Sequence, residues 1–243
     1  MNLYPVVILA GGMATRLRPI TEKIPKALVE VGGEPFIAHQ LRLLHSHGAR
    51  RIVISAWYHG NMIRDYLGDG AEFDMQVSYV FDGDKPLGTG GAIRRALPLL
   101  EESFFVLYGD SYLPCNYAEI QSRFESSGQP ALMAVYRNEG KWDTSNVEMK
   151  DETIVKYDKN DRSPAMQFID YGLGIFRPNV FQGLQDGEYK DLADVYRDLA
   201  QNKRLAAYLV LQRFYEIGSH EGLHELDEVL KKAPKHFLLQ EKP

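Results

Sequence analysis

The chain has 243 residues, 44% of them hydrophobic, with 28 Lys and Arg against 33 Asp and Glu and one cysteine. This is enough apolar material for one domain with a substantial core, and a formal charge of −5 with scattered basic pairs argues against a nucleic-acid partner. A lone Cys115 excludes an internal disulfide, and no apolar run reaches the roughly 20 residues of a membrane span. With an N-terminus that runs straight into apolar sequence without a charged leader, the expectation is a cytoplasmic protein with no membrane partner.

In chain order, the first half alternates strand and helix patterns, as a parallel α/β sheet requires. A buried strand is predicted over 4–10, a helix over 35–47 from the spacing of Ile37, Leu41 and Leu44, and a strand over 51–56. A short helix over 61–67 and an alternating, near-edge strand over 76–81 follow. Next come a helix over 89–100, entered through a Gly-rich turn, and a central strand over 104–108. The second half is less regular. It reads as a strand over 131–136, a hairpin of 146–149 and 153–157 turning through Lys150-Asp151, and a strand over 171–176. A helix over 192–201, a strand over 206–211 and an amphipathic helix over about 221–232 complete it, the last presenting Leu223, Leu226, Val229 and Leu230. The fold class implied is α/β: a mixed, mostly parallel Rossmann-like sheet flanked by helices, in a single domain over 1–243. Its first half (about 1–115) and second half (about 116–220) share the sheet, and a C-terminal helix and tail occupy about 221–243.

The apolar run from Val6 ends at Leu9 and Ala10 in Gly11-Gly12-Met13-Ala14-Thr15-Arg16-Leu17, followed by Pro25-Lys26-Ala27-Leu28. A strand that ends this way delivers backbone N–H groups and fixed positive charge to phosphate, and two cations suit a triphosphate. An ordinary strand-to-loop turn would need only the Gly-Gly pair. Asp110 follows the strand over 104–108, on the same sheet edge, where a carboxylate suits Mg²⁺ held against phosphate oxygens; a turn or helix-capping aspartate is the plainer reading. Gly88-Thr89-Gly90-Gly91 opens a helix and leaves backbone exposed for a flat base or ribose, unless it is simply a tight entry that needs small residues. Asp82-Gly83-Asp84 suits a plain turn. The seven histidines form no zinc spacing with cysteine partners, and no Gly-x-Ser-x-Gly elbow occurs.

These motifs resemble the signature of the nucleotidyltransferases that join a nucleoside triphosphate to a sugar 1-phosphate, Leu-Ala-Gly-Gly-x-Gly-Thr-Arg-Leu followed by Pro-Lys-x-Leu. The likeness continues through Pro86-Leu87-Gly88-Thr89-Gly90-Gly91, Gly109-Asp110 and Glu216-Ile217-Gly218-Ser219, and its order is similar to short bacterial members such as heptose 1-phosphate guanylyltransferases and N-acetylmuramate 1-phosphate uridylyltransferases. The resemblance implies a GT-A-like nucleotidyltransferase domain that takes nucleoside triphosphate and sugar 1-phosphate as small-molecule substrates, uses Mg²⁺, and supplies nucleotide sugars for cell-surface polysaccharide. Homo-oligomerisation stays open. Arg16, Lys26 and Asp110 become the catalytic set; Leu9, Ala10, Gly11, Gly12, Thr15, Arg16, Lys26, Gly88 and Thr89 the nucleotide site; Asp110 and Glu216 the metal ligands. Lys159 lands on the lysine of the family's Glu-Lys-Pro, which contacts the sugar phosphate, and Gly172 on the small residue at the sugar ring. Lys156 is a rival to Lys159, and strand alternation would put the two on opposite faces.

Two positions depart from the pattern. Ala14 stands where the family has glycine, which predicts a loop that is shaped differently or binds the triphosphate less closely. Glu216 replaces the usual aspartate, and a surface acid capping the last helix is its plainer role. The stretch from Tyr79 to Thr89 lacks the glutamine that thymidylyl and many uridylyl relatives carry and offers Asp82 and Asp84 instead. Carboxylates are acceptors that suit the adjacent N–H donors of guanine, so GTP with a mannose-configured sugar such as a heptose 1-phosphate is expected. Other bases within the family, a glycosyltransferase consuming a nucleotide sugar, and a catalytically inactive nucleotide-sugar sensor are the alternatives.

Overall fold

A computed structural model describes residues 2–100, 102–139 and 144–232. The first strand, β1 (Val6–Leu9), alternates Val6 and Ile8 onto one face of the sheet and Val7 onto the other, all fully buried. A strand that is apolar on both sides belongs in the middle of a covered sheet. After it come a small hairpin, β2 (Glu30–Val31) and β3 (Glu34–Pro35), then α1 (Phe36–Ser46), β4 (Arg51–Ala56), α2 (Gly60–Leu67), β5 (Gln76–Phe81), α3 (Gly88–Ala96) and β6 (Phe104–Tyr108). The chain continues through β7 (Ser111–Tyr112), α4 (Tyr117–Ser127), β8 (Ala131–Arg137), β9 (Val147–Lys150), β10 (Thr153–Tyr157) and β11 (Phe168–Phe176). It closes with α5 (Leu192–Gln201), β12 (Leu205–Val210), β13 (Tyr215–Glu216) and α6 (His220–Lys232).

Among the described residues nine strands form one sheet in the order β5-β4-β1-β6-β11-β8-β12-β10-β9. Neighbours β5, β4, β1 and β6 are parallel, β11 opposes β6 and β8, β12 runs with β8, and β10 opposes both β12 and β9. The expected mixed, mostly parallel α/β sheet is therefore present. Ile37 and Leu41 of α1, Ile63 of α2 and Phe124 of α4 pack on one face with Ile8, Phe105 and Leu107. On the other face Ile93 of α3 and Tyr196 and Leu199 of α5 pack with Val7, Phe104 and Val106. Helix α6 buries Leu226 against Val31, Phe36, Tyr112 and Ile217 beside the small hairpin, with Leu223 and Leu230 partly covered and Val229 outside that cluster.

Three local differences from the sequence reading have clear physical causes. Helix α4 was not expected: its apolar stripe is thin, and Gln121 occupies a buried position where its amide bonds to Tyr4 N–H (2.9 Å) and Asn2 O (3.2 Å). The signal that could have found it is the reciprocal cap in Asn116-x-x-Glu119, where Asn116 accepts from Glu119 N–H and donates to its carboxylate. The β9–β10 hairpin turns through Asp151 and Glu152, one residue later than expected, both with positive φ (47° and 56°) as a two-residue turn matched to strand twist requires. Helix α3 stops at Ala96 and tightens into a 3₁₀ turn over Leu97–Leu99, because Pro98 has no N–H to continue the ladder. Of the C-terminal helix and tail, 233–243 lies outside the described residues. Among the described residues no helix is long and apolar enough to cross a membrane.

Candidate active site

The carboxyl ends of β1, β4, β5 and β6 open onto a crevice of about 410 Å³, the place where open α/β sheets bind ligands. Two strand ends meet closely at its floor: Gly109 N–H donates to Leu9 O (3.0 Å), and a Cβ at 109 would come within 2.6 Å of that oxygen, so only glycine fits. Buried Gln40 of α1 holds the next turn from below, donating through Nε2 to Tyr108 O (3.2 Å) and Ser111 O (2.8 Å). Leu9, Ala10, Gly11, Gly12, Lys26, Gly88, Thr89 and Asp110 all line the crevice. At Gly12 an added Cβ would meet nothing within 4 Å. The missing side chain there leaves room for a ligand rather than for the protein.

Two of the charges in the crevice, Lys26 and Asp110, form a pair that phosphate can open. Lys26 Nζ donates to Asp110 Oδ2 at 2.9 Å, with 17% and 31% of the two side chains exposed. Ala14 sits in the left-handed region (φ 48°, ψ 46°), so the loop keeps the turn that glycine would make, at a strain cost, instead of changing shape as expected. Its carbonyl accepts from Leu17 N–H (3.1 Å) and Thr21 Oγ1 (2.8 Å). Thr15 and Arg16 follow on an exposed 3₁₀ turn beyond the crevice lining; Arg16 makes no hydrogen bond or ion pair among the described residues.

Glu216 reaches the site through a small ribbon. It pairs with Ser111 across β13–β7, and Ile217 N–H donates to Asp110 O (2.9 Å), so the two acidic residues sit on adjacent rungs. Its carboxylate also caps α6, accepting from Gly218 N–H and from Ser219 Oγ (2.9 Å). A carbon at Gly218 would collide with both Glu216 Oε2 and Arg16 Nη2, so the carboxylate and the guanidinium share that glycine's surface.

The Gly-rich entry to α3 works in two ways. Gly88 and Thr89 line the crevice, while Gly90 and Gly91 donate their N–H groups to Lys190 O (2.8 and 3.1 Å). A Cβ on Gly91 would strike Glu188 O, and one on Gly88 would come within 2.6 Å of Lys190 O. Thr89 Oγ1 accepts from Leu192 N–H (2.8 Å) and bonds to Asp191. The small residues thus let the segment before α5 dock, which brings exposed Tyr189 to the crevice rim.

Crevice residues that the sequence reading left out are Ser55 at the end of β4, Trp57 just after it, Tyr108 and Tyr189; Asp82, read there as a turn residue or as an acceptor for guanine, is another. Asp82 does not face solvent as a plain turn would have it. Its side chain is buried, Oδ2 accepts from Leu87 N–H (2.9 Å), and Oδ1 has no partner. Burial pushes its pKa up, partly offset by that N–H and by Arg95, whose guanidinium donates to Asp82 O (2.5 Å). Asp84 is exposed and lies outside the crevice.

Lys159 and Gly172 both lie beyond the crevice lining, Gly172 next to it at the junction of β6 and β11. Lys156 is on β10 and ion-paired with Asp161 (2.8 Å). Lys159 lies past the strand end, where alternation no longer applies, in a turn whose Asp158 accepts from Asn160 and Asp161 N–H and from Arg197 Nε of α5 (3.0 Å). Gly172 (φ 89°) would put a Cβ 3.3 Å from Ser111 Oγ and 3.4 Å from Tyr108, so its bare backbone faces the turn that carries Asp110.

Comparison with known proteins identifies the family and the fold. Residues 5–233 match the family described as nucleotidyl transferase. The chain is 31% identical over 216 residues to N-acetylmuramate alpha-1-phosphate uridylyltransferase of Neisseria meningitidis serogroup B, covering 88% of this chain and 92% of that one. It is 28% identical over 240 residues to a probable mannose-1-phosphate guanylyltransferase 1 of Oryza sativa subsp. japonica, covering 94% of this chain and 66% of that one. Among solved structures, a putative glucose-1-phosphate thymidylyltransferase from Bacillus anthracis superposes with TM-score 0.83 at 20% identity, covering 95% and 96% of the two chains. HddC from Yersinia pseudotuberculosis, complexed with GMP-PN, gives 0.76 at 24% identity, covering 94% and 100%. At those identities the two structures establish the shared fold.

Proposed function

Because the chain belongs to the nucleotidyl transferase family, we propose that it transfers a nucleoside monophosphate from a nucleoside triphosphate to a sugar 1-phosphate and releases pyrophosphate, with GTP and a mannose-configured sugar such as a heptose 1-phosphate preferred. The observation that carries the reaction is the Lys26–Asp110 pair beside the open surface of Gly12. A sugar phosphate oxygen attacks the α-phosphorus, and the bond to the bridging oxygen of the departing pyrophosphate breaks. The second pKa of a phosphate monoester is about 6, so the nucleophile is already anionic and needs no general base. What the protein contributes is alignment and charge compensation. The half over about 1–115 holds the triphosphate through the N–H groups of Gly11 and Gly12 and the cations of Arg16 and Lys26. The half over about 116–220 holds the sugar phosphate through Lys159, over Gly172.

The donor set fits Mg²⁺: two carboxylates, hard oxygen donors, on adjacent rungs of one ribbon. Asp110 would hold the ion by its carboxylate and Glu216 by the lone pairs left after its bonds to Gly218 and Ser219. When bound, it neutralises phosphate charge.

The guanine preference rests on Asp82, which lines the crevice and keeps one shielded carboxylate oxygen without a partner, an acceptor for a base N–H that reaches it. Leaving that acceptor unpaired when a poorer base binds costs about 1–3 kcal/mol. The test is pyrophosphate release from a matrix of GTP, UTP, dTTP, CTP and ATP against mannose, heptose, glucose and N-acetylmuramate 1-phosphates. GTP with a mannose-configured partner should lead in kcat/KM. A clear lead for a pyrimidine triphosphate overturns the guanine assignment alone, and no release with any pair overturns the transferase. Lys159→Ala should raise KM for the sugar phosphate only, whereas Arg16→Ala should damage triphosphate KM and kcat together; equal effects on both substrates would remove the two-site assignment.

A further inference from the structure

We propose that Gln40 of α1 is a positioning residue that keeps Asp110 in register with Lys26, so that a buried amide sets turnover from outside the crevice; this rests on the transferase reading above. Helix α1 turns one face inward through Phe36, Ile37, Leu41 and Leu44, and position 40 of that face carries an amide, 1% exposed, instead of a hydrocarbon. Gln40 does not line the crevice. Both of its hydrogen bonds go to one turn: Nε2 donates to Tyr108 O (3.2 Å) and Ser111 O (2.8 Å), the residues on either side of Gly109-Asp110. Two carbonyl acceptors fix which way the amide faces, since only its NH₂ end can serve them. Oε1 is left buried with no partner. Gln40 is thus a double donor to a single turn and keeps an unsatisfied acceptor to be one. Such a cost inside a core is the mark of a group retained for what it holds.

The two bonds matter because the turn hangs between separate elements. Gly109 N–H reaches β1 at Leu9 O (3.0 Å), and Asp110 O accepts from Ile217 N–H just after β13 (2.9 Å). Those bonds fix the middle of the turn, and Gln40 fixes its two ends. The same helix also holds the other member of the charge pair. Phe36 N–H, at the start of α1, donates to Val29 O (2.9 Å), and Val29 N–H donates to Lys26 O (3.0 Å). Helix α1 therefore brackets the Lys26 backbone at its first residue and the Asp110 turn at its fifth. One rigid element spans the two groups whose side chains meet at 2.9 Å. A hydrocarbon at position 40 removes both donors and frees the Asp110 turn to shift against Lys26. A misplacement of about 1 Å at a reacting group costs about a hundredfold in rate. Substrate binding is spread over the other crevice residues and changes little.

The experiment measures initial rates of pyrophosphate release with the leading substrate pair of the matrix above, alongside thermal melting, for wild type and three variants. Gln40→Met has the same length and no donor, Gln40→His keeps one ring N–H for the turn, and Leu41→Val alters packing in the same helix without touching the turn. Gln40→Met should lower kcat about tenfold or more while both KM values stay within about threefold, the split expected when alignment rather than binding is lost. Gln40→His should lose less, about threefold or more, and reads the same quantity if Gln40→Met does not fold. Leu41→Val should keep kcat within about twofold even though its melting temperature falls. A folded Gln40 variant with kcat within about twofold of wild type, a loss confined to KM, or a Leu41→Val enzyme that loses as much turnover as Gln40→Met overturns the role of Gln40 and leaves the transferase intact. If wild type releases no pyrophosphate with any pair of the matrix, the transferase reading and this inference fall together.

Discussion

Replacing Ala14 by glycine tests whether the triphosphate loop is held under strain. Ala14 has φ 48° and ψ 46° and is flanked by two retained bonds to its carbonyl, so the backbone is fixed in the left-handed basin. An L-residue there costs roughly 1–2 kcal/mol that glycine does not incur. Against this, glycine loosens the unfolded chain and gives back about 0.4–1 kcal/mol. The net expectation for Ala14→Gly is a gain of about 0.5–1 kcal/mol, which for a domain of this size is a rise in Tm of about 1–4 °C. Because both residues occupy the same basin, Arg16 keeps its place and triphosphate KM should change by less than about threefold. Calorimetric melting with and without GTP reads the first quantity, and initial rates of pyrophosphate release the second. A lower Tm for Ala14→Gly would refute the reasoning, since it would mean that the alanine methyl contributes more than its backbone strain costs.

Three other outcomes follow from the same geometry. Asp110→Asn should lower kcat by about a hundredfold or more, as expected for losing charge stabilisation felt mainly in the transition state, and near-normal turnover would remove Asp110 from the catalytic set. Gly12→Ala should raise triphosphate KM by about tenfold or more with an unaltered Tm, because its Cβ meets no protein atom; a stability loss would assign the position to packing instead. Asp82 has a raised pKa in the folded protein, so the stability linked to its proton is present at acid pH and lost as pH rises through that value. Asp82→Asn should therefore be at least as stable as wild type near pH 7, with the difference closing as pH falls towards 4, and denaturant melts across that range measure it.

Most of the first half of the sheet was legible because buried parallel strands carry long apolar runs, as in Phe104–Tyr108, and the helices between them keep a 3.6 period. Helix α4 was not, because its inner face spends a position on Gln121, whose partners at Asn2 and Tyr4 are remote in sequence. The same distinction divides the site. Gly11, Gly12, Lys26 and Asp110 announce themselves through local motifs. Asp82 reads in the sequence as a turn residue or a base acceptor, and only the tertiary structure, which buries it with one oxygen unpartnered, separates the two. Gly90 and Gly91 illustrate the opposite error: a glycine run suggests ligand contact, yet those two make room for the backbone of Glu188 and Lys190.

The charges explain why a site for two polyanions is stable without them. Lys26 is neutralised by Asp110, and the Glu216 carboxylate is held by Gly218 and Ser219 just before α6, where the helix dipole also favours it. The Arg16 guanidinium and the Lys159 ammonium are left exposed and make no hydrogen bond or ion pair among the described residues. Exposed cations cost little in water, whereas a buried unpaired lysine would not survive as a cation. The two free charges therefore suit the first capture of each phosphate, and the paired Lys26 and Asp110 suit the step that follows, when phosphate oxygens enter the crevice and compete for the ammonium. On that ordering, Lys26→Ala should leave the unliganded fold with an uncompensated Asp110 and should affect kcat more than either KM. Lys159→Ala acts earlier, at binding of the sugar phosphate, whereas Arg16→Ala damages triphosphate KM and kcat together.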